Sequence, residues 1–281
     1  MLSLALWKQL YANIKALNQY TALPRCIPMS VSLKQLESEL KKLLRPEQFN
    51  DYCPNGLQVQ GCSEVKKIVS GVTACQDLIE AAVNAQADLL LVHHGYFWRG
   101  EDQSISGIKK SRIQTLLRHE MSLMAYHLPL DVHHELGNNV QLAEILGINV
   151  VGELGKQNNH PIGLTGRFKQ ELDFAAVKKM LSEKLGRQPL AVEGSARRIG
   201  SVAWCTGAAQ NYIELAVEAG VDAYITGEVS EPTVHIARES GIHFFAAGHH
   251  ATERYGVQAL GNYLAEKFSI EHEFIDIDNP V

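Results

Sequence analysis

The sequence contains no run of about 18 apolar residues, the length a helix needs to cross a bilayer, so no membrane span is expected. It also lacks a cysteine framework. Cys26, Cys53, Cys62, Cys75 and Cys205 are odd in number and form no C-x-x-C, which excludes a disulfide-stapled scaffold and predicts reduced thiols in a cytoplasmic protein. Cys75 and Cys205 lie in or beside apolar strands and read as buried, inert thiols. An excess of positive charge is missing too: 26 Lys+Arg stand against 31 Asp+Glu, a net charge of −5, which excludes a strongly basic nucleic-acid coat protein. There is no G-x-G-x-x-G, no G-x-x-x-x-G-K-[ST], no G-x-S-x-G and no H-E-x-x-H. A hydrophobic content of 46% over 281 residues excludes a disordered chain and suffices for one large domain or two small ones.

Histidine is what the sequence has in excess. Six of its 12 histidines fall in three adjacent pairs, His93-His94, His133-His134 and His249-His250, where chance placement gives fewer than one. Imidazole is the commonest metal ligand, so this clustering points to a metal site.

Residues 1–28 carry no compact apolar core followed by a small-residue cleavage site, so a signal peptide is not expected. They read as a weak amphipathic helix stopped by Pro24 and are expected to be peripheral, with Met29 as the older start. Ser32-Leu33-Lys34-Gln35 then forms a capping box opening a helix with Leu33, Leu36, Leu40, Leu43 and Leu44 on one face.

From Lys67 onward strand and helix signals alternate, which predicts an α/β fold with largely parallel strands. Expected strands are Ile68–Val72, Ala87–Val92, Met121–Tyr126, Ser201–Cys205, Asp222–Thr226 and His243–Ala247, with another at His272–Ile277; Ile162–Val192 is expected to hold strand, helix (Asp173 as N-cap, then Ala175–Leu185) and strand. Helices are expected between them, the last over Gly256–Phe268. A shift of 134 residues lays Ala74–His94 on Ala208–Glu228 with eight of 21 positions identical, among them Asp88 and Asp222. The repeat favours two related α/β lobes, residues 29–155 and 156–281, with the last helix and strand free to pack back on the first.

Ligands of open α/β sheets bind outside the carboxyl ends of the strands. Four such ends carry polar residues: His93-His94-Gly95, His127-Leu128-Pro129-Leu130-Asp131, Gly227-Glu228 and Gly248-His249-His250-Ala251-Thr252-Glu253. His249 and Glu253 are spaced i, i+4 and share one side if that turn is helical. Thr252 can cap the helix that follows. Together these ends offer more donors than one tetrahedral ion uses. A carboxylate bridging two cations suits the set, and such a pair polarises a substrate and makes hydroxide near neutral pH. A cysteine-free donor set suits Zn, Mn, Fe, Co or Ni. Plainer roles stand beside these. Asp131 and Glu228 are also candidate helix caps, His250 suits an exposed or supporting position equally, and His133-His134 fits a solvated turn. His119, His160, His235, His243 and His272 default to surface or core. Arg99, Lys109, Lys110, Arg112 and Arg118 read as a solvated helix face, or as a phosphate or nucleic-acid contact at the pocket mouth.

The blocks Asp51-Tyr52-Cys53-Pro54-Asn55-Gly56-Leu57-Gln58-Val59, Val92-His93-His94-Gly95-Tyr96-Phe97-Trp98, His127–Asp131, Ile225-Thr226-Gly227-Glu228 and Gly248–Glu253 together resemble the GTP cyclohydrolase I type 2 family, also called Nif-three-like, and most closely its bacterial YbgI-type members. The resemblance covers roughly Leu33 to Pro280. It implies a Nif-three-like fold of two α/β lobes with a dinuclear site between strand carboxyl ends, held here by His93, His94, Asp131, His249 and Glu253. Glu253 then bridges, Asp131 and one histidine of the 93–94 pair hold one ion, and His249 with the other histidine holds the second. The resemblance also implies a toroidal homohexamer with its sites facing an inner cavity. The family's name implies opening of the guanine ring of GTP, and the YbgI branch is associated with protection from radiation damage. His127 suits a proton shuttle, and His127 and Glu228 are taken as the candidate catalytic pair. The expected function is a two-metal hydrolase acting on GTP, a damaged nucleotide or a similar small phosphorylated compound. The alternatives are a metal-binding toroidal assembly without turnover and a nucleic-acid clamp, the latter disfavoured by the net charge.

Overall fold

The computed structural model describes residues 29–157 and 160–281, so the expectations for residues 1–28 lie outside the described residues. β1 (Val31–Ser32) leads into α1 (Leu33–Leu44), and β2 (Gly56–Val59), β3 (Glu64–Val65) and β4 (Lys67–Thr73) follow. Next come α2 (Gln76–Asn84), β5 (Leu89–His94), α3 (Gly107–Arg118), β6 (Ser122–Ala125), the short α4 (Leu128–Asp131) and α5 (Asn138–Leu146). The second half holds β7 (Ile148–Gln157), β8 (His160–Leu172), α6 (Phe174–Leu185), β9 (Leu190–Val192) and β10 (Ile199–Cys205). It ends with α7 (Ile213–Glu218), β11 (Ala223–Thr226), α8 (Glu231–Ser240), β12 (His243–Ala246), α9 (His249–Phe268) and β13 (Glu271–Phe274).

The capping box forms as expected: the Ser32 hydroxyl accepts from the Gln35 amide and Gln35 Oε1 accepts from the Ser32 amide. Leu33, Leu36, Leu40 and Leu44 of α1 are buried.

Two sheets form the framework. The first has the order β13-β4-β5-β6-β2 and is parallel except for β2, which runs antiparallel to β6. The second has the order β7-β8-β10-β11-β12-β9, and only β10, β11 and β12 are mutually parallel. The expectation of largely parallel strands is therefore corrected for the second sheet. β7 and β8 are nearly contiguous in sequence, with no crossover helix between them, so they pair antiparallel. β7 lies wholly in this second sheet and spans the expected 155/156 boundary, so the chain changes sheets at the end of α5.

The internal repeat corresponds to two βαβ units, β4-α2-β5 and β10-α7-β11. Asp88 Oδ2 accepts from the amides of Lys66 and Lys67 at 2.7 and 3.0 Å, and Asp222 Oδ2 accepts from those of Gly200 and Ser201 at 2.9 and 2.7 Å. Each aspartate thus ties the start of its own strand to the start of the preceding one.

α9 joins the two halves. It begins at the end of β12, where Ala251 packs into the second sheet's core, and it carries Val257, Leu260 and Leu264 into the core beneath the first sheet. Burying those three side chains contributes about 1.5–3 kcal/mol each. β13 then pairs with β4 and returns the chain to the first sheet. The sequence places the start of this helix at Gly256, but it starts at His249.

Candidate metal centre

The site forms where the carboxyl ends of both sheets meet. β5 ends on His93 and His94, whose rings turn to opposite neighbouring strands. His93 Nδ1 lies 2.9 Å from the carbonyl of Tyr126 beyond β6, and His94 Nδ1 lies 3.1 Å from the hydroxyl of Thr73 at the end of β4. Asp131 arrives on α4, a single turn after β6. From the second sheet come His249 and Glu253, one turn apart on α9, so the i, i+4 spacing does place them on one side.

Four histidines are oriented in the same sense. His127 Nδ1 bonds to Asp51 Oδ1 at 2.7 Å and His249 Nδ1 to Glu228 Oε1 at 2.7 Å. Carbonyl and carboxylate oxygens only accept, so His93, His127 and His249 each carry their proton on Nδ1 and turn Nε2 inward. The Nε2 atoms of His94 and His249 stand 3.2 and 3.1 Å from Glu253 Oε2. His93 Nε2 stands 3.4 Å from Asp131 Oδ1 and 3.7 Å from Glu253 Oε1. Among the described residues four sets of donors lie close enough to hold an ion: His94, His249 and Glu253; His93, Asp131 and Glu253; His93, His94 and His127; and, away from Glu253, Asp51, Cys53 and His127.

Glu253 is common to the first two sets. Its side chain is 4% exposed, and Oε2 is buried with no hydrogen-bond partner among the described residues. Such an oxygen between inward-facing ring nitrogens needs a proton or a cation to compensate its burial. The donors fit a divalent ion of the Zn, Mn, Fe, Co and Ni group, being imidazole and carboxylate with no thiolate.

The electrostatics show the same strain. Complete burial disfavours a charged His93, but the carboxylates of Asp131 and Glu253 outweigh it and push its pKa up to about 9. His249 is likewise opposed by burial and raised to about 9 by Glu253 and Glu228. Burial pushes His94 down to about 3, against the pull of Glu253. Burial raises Asp131 above the usual carboxylate range, whereas His93 and His94 hold Glu253 well below it against its own burial.

Packing determines the rest. Gly207, at φ +70°, follows β10, and a Cβ there would collide with Glu253 Oε1. Asn138 Nδ2 donates to Asp131 Oδ1 at 2.8 Å while Asn138 Oδ1 accepts from the Gly256 amide at 2.9 Å, linking Asp131 to α9. Thr252 lies inside the helix, where its hydroxyl accepts from the Gly207 amide and donates to Gly248, so it does not cap a later helix.

The sequence reading assigned no role to Asp51, Asn55, Thr73, Asn138 or Gly207, although Asp51 and Asn55 fall in a block singled out for resemblance. Asn55 Oδ1 accepts from the His127 amide at 2.7 Å and its Nδ2 donates to Asp51 at 2.8 Å. Of the candidate catalytic pair, His127 lines the cavity and Glu228 does not; Glu228 supports His249 from behind. His250 turns away to Asp276 at 2.7 Å. His133 accepts from the amides of Glu135 and Leu136 in an exposed turn, and His243 is buried in the second sheet. The Cys205 thiol is buried in the cavity wall and pushed well above its ordinary value by that burial, as an inert thiol should be. His160 stacks on Phe49 at the cavity, its centroid 4.0 Å away, so it does not take the plain surface or core role expected of it.

The cavity has a volume of about 640 Å³ and is lined by both halves of the chain. These features define an α/β protein of two mixed sheets with a buried His/Asp/Glu centre at the strand ends. The chain belongs to the Duf34/NIF3 (NGG1p interacting factor 3) family, whose model matches residues 31–280. A GTP cyclohydrolase 1 type 2 homolog of Pseudomonas aeruginosa is 56% identical over 252 residues, covering 90% of this chain and 100% of its own. One from Escherichia coli is 48% identical over 247 residues, covering 88% and 98%. A solved structure of protein ybgI, described as of unknown function, is 47% identical with a TM-score of 0.86, covering 89% of this chain and 100% of its own. A Thermus thermophilus crystal structure is 32% identical with a TM-score of 0.81 and the same coverage. Among the described residues no helix is long and apolar enough to cross a membrane.

Proposed function

We propose that the protein is a dinuclear-metal-dependent hydrolase acting on compounds of the nucleotide class. The observation that carries this reading is the buried Glu253 carboxylate, whose two oxygens face two different donor sets and whose Oε2 has no hydrogen-bond partner among the described residues. In this reading His93, Asp131 and Glu253 hold one divalent ion, and His94, His249 and Glu253 hold the other. When bound, the ions supply Lewis acidity and hydroxide near neutral pH.

The chain's own residues do the remaining work. His127 offers Nε2 to the cavity while Asp51 holds its Nδ1 proton, so it can take a proton at Nε2 and return it to the leaving group. Glu228 and Thr73 fix the rings of His249 and His94. The name of the relatives makes GTP the first substrate to test, with damaged nucleotides beside it. A homo-oligomer, specifically a hexamer, belongs to the same reading.

The test is elemental analysis of the purified protein with a hydrolysis panel. Close to two divalent ions per chain are expected, both lost in Glu253→Ala, together with turnover of at least one nucleotide-class compound. One tightly held ion in that variant removes the bridging role, and a blank panel with both ions in place removes the hydrolase.

A further inference from the structure

We propose that the cavity selects the flat ring of a nucleobase or nucleoside and discriminates against nucleoside polyphosphates. The inference rests on the hydrolase reading and shifts its substrate from nucleotides to the nucleobases and nucleosides from which they are built.

Two observations carry it. The first is the wall. Trp98 meets His127 edge-on with centroids 5.0 Å apart, and Phe49 stacks on His160 at an interplanar angle of 20°. Tyr52 and Tyr212 also line the cavity, so flat side chains reach it from both halves of the chain. Aromatic faces hold bases by stacking and aromatic edges by edge-to-face contact, whatever the base's hydrogen-bonding edge.

The second is charge. No Lys or Arg is among the described residues that line the cavity. Two nearby cations, Arg99 and Lys109, are held by protein partners. Arg99 Nη2 donates to Asn50 Oδ1 at 3.0 Å and to the Asp51 carbonyl at 2.8 Å. Lys109 Nζ pairs with Glu101 at 3.2 Å and donates to the Asp102 carbonyl at 3.0 Å. Asp131 and Glu253 also line the cavity, and in the proposed function both are taken up as metal ligands. Sites that bind polyphosphates supply guanidinium or ammonium groups, or a ring of backbone amides, along the chain of phosphates. With a ring at the His/Asp/Glu centre, a triphosphate has no protein cation to meet it. The sequence reading left open whether Arg99, Lys109 or Arg112 meets phosphate at the pocket mouth, and the ties of Arg99 and Lys109 disfavour this.

The experiment uses the full-length protein as purified, with its metal content followed throughout. Guanosine, adenosine, GTP and inorganic tripolyphosphate are titrated by calorimetry and by quenching of tryptophan fluorescence, with Trp98→Phe as the spectroscopic control. Nucleosides are expected to bind and to quench a signal that Trp98→Phe lacks, and GTP is expected to bind at least about tenfold more weakly. Phe49→Ala and Tyr52→Ala should each weaken nucleoside binding about tenfold while leaving metal content unchanged. GTP binding more tightly than guanosine, tripolyphosphate competing with guanosine, or no nucleoside binding at all overturns the proposal. The hydrolase reading fails separately, through missing ions or absent turnover.

Discussion

Glu228 Oε1 accepts a 2.7 Å hydrogen bond from His249 Nδ1, and this contact decides which nitrogen of the ring faces the centre. The glutamate comes from the end of β11 and the histidine from the first turn of α9, so two strand ends cooperate to place one nitrogen. Supporting partners of this kind are worth about 10–100-fold in metal affinity when removed. Glu228→Ala should therefore weaken one of two metal-binding events by that factor and spare the other, as read by competition with a chromogenic chelator. Activity should recover when metal is added to saturation. Loss of activity that saturating metal does not restore would instead place Glu228 in the chemistry.

Gly207 makes a second prediction at the same carboxylate. Its φ of +70° and the absence of a Cβ let the backbone after β10 pass against Glu253 Oε1. Gly207→Ala should displace Glu253 and reduce bound metal to at most one ion per chain, with a far-ultraviolet spectrum like that of the parent protein. Two ions retained at full affinity would show that Glu253 tolerates the shift.

What the sequence revealed of this site was the part written in local pattern. Apolar strands ending on histidine, and His249 and Glu253 spaced one helical turn apart, are short-range features, and the structure brings all five proposed ligands together. The parts that depend on distant segments were not legible. Nothing near His127 in sequence points to Asp51, yet Asp51 holds its ring. The pairing of His93 with Asp131 and of His94 with His249 depends on which neighbouring strand each ring leans toward. The early start of α9 was hidden for a related reason. The donors His249 and Glu253 face the centre, so that turn shows no apolar periodicity although it is helical. β7 escaped because its glycines and exposed Val150 and Val151 break the alternation that marks a half-buried strand.

The repeated aspartates give a prediction about stability. Asp222 Oδ2 accepts from two amides and from the Ser201 hydroxyl, so Asp222→Ala leaves three donors without a partner. Asp88 serves two amides, that of Lys66 in an exposed position. Urea denaturation should show a loss of about 2–4 kcal/mol for Asp222→Ala and about 1–2 kcal/mol for Asp88→Ala. Asn at either position retains an acceptor and should recover part of the loss. Equal effects of Ala and Asn would mean that the carboxylates act through charge and not through these bonds.

His272 supplies a pH dependence remote from the metal centre. The ring lies between β13, β4 and α9, with Nε2 2.7 Å from the Ser70 hydroxyl and Nδ1 2.8 Å from Asn262 Oδ1. Burial pushes its pKa from 6.5 down to about 4, and Glu273 opposes this only in part. As pH falls below 6.5 the unfolded chain takes up a proton that the native ring refuses until about 4. The unfolded state then binds more protons, so this residue removes stability progressively across that window and contributes no slope above it. His272→Gln cannot titrate, and the difference in urea midpoint between parent and variant should shift in the variant's favour from pH 7 to pH 4. Both proteins are compared after chelation, so that metal release does not enter. Parallel midpoints across that range would mean that the half-buried ring titrates alike in the native and unfolded states.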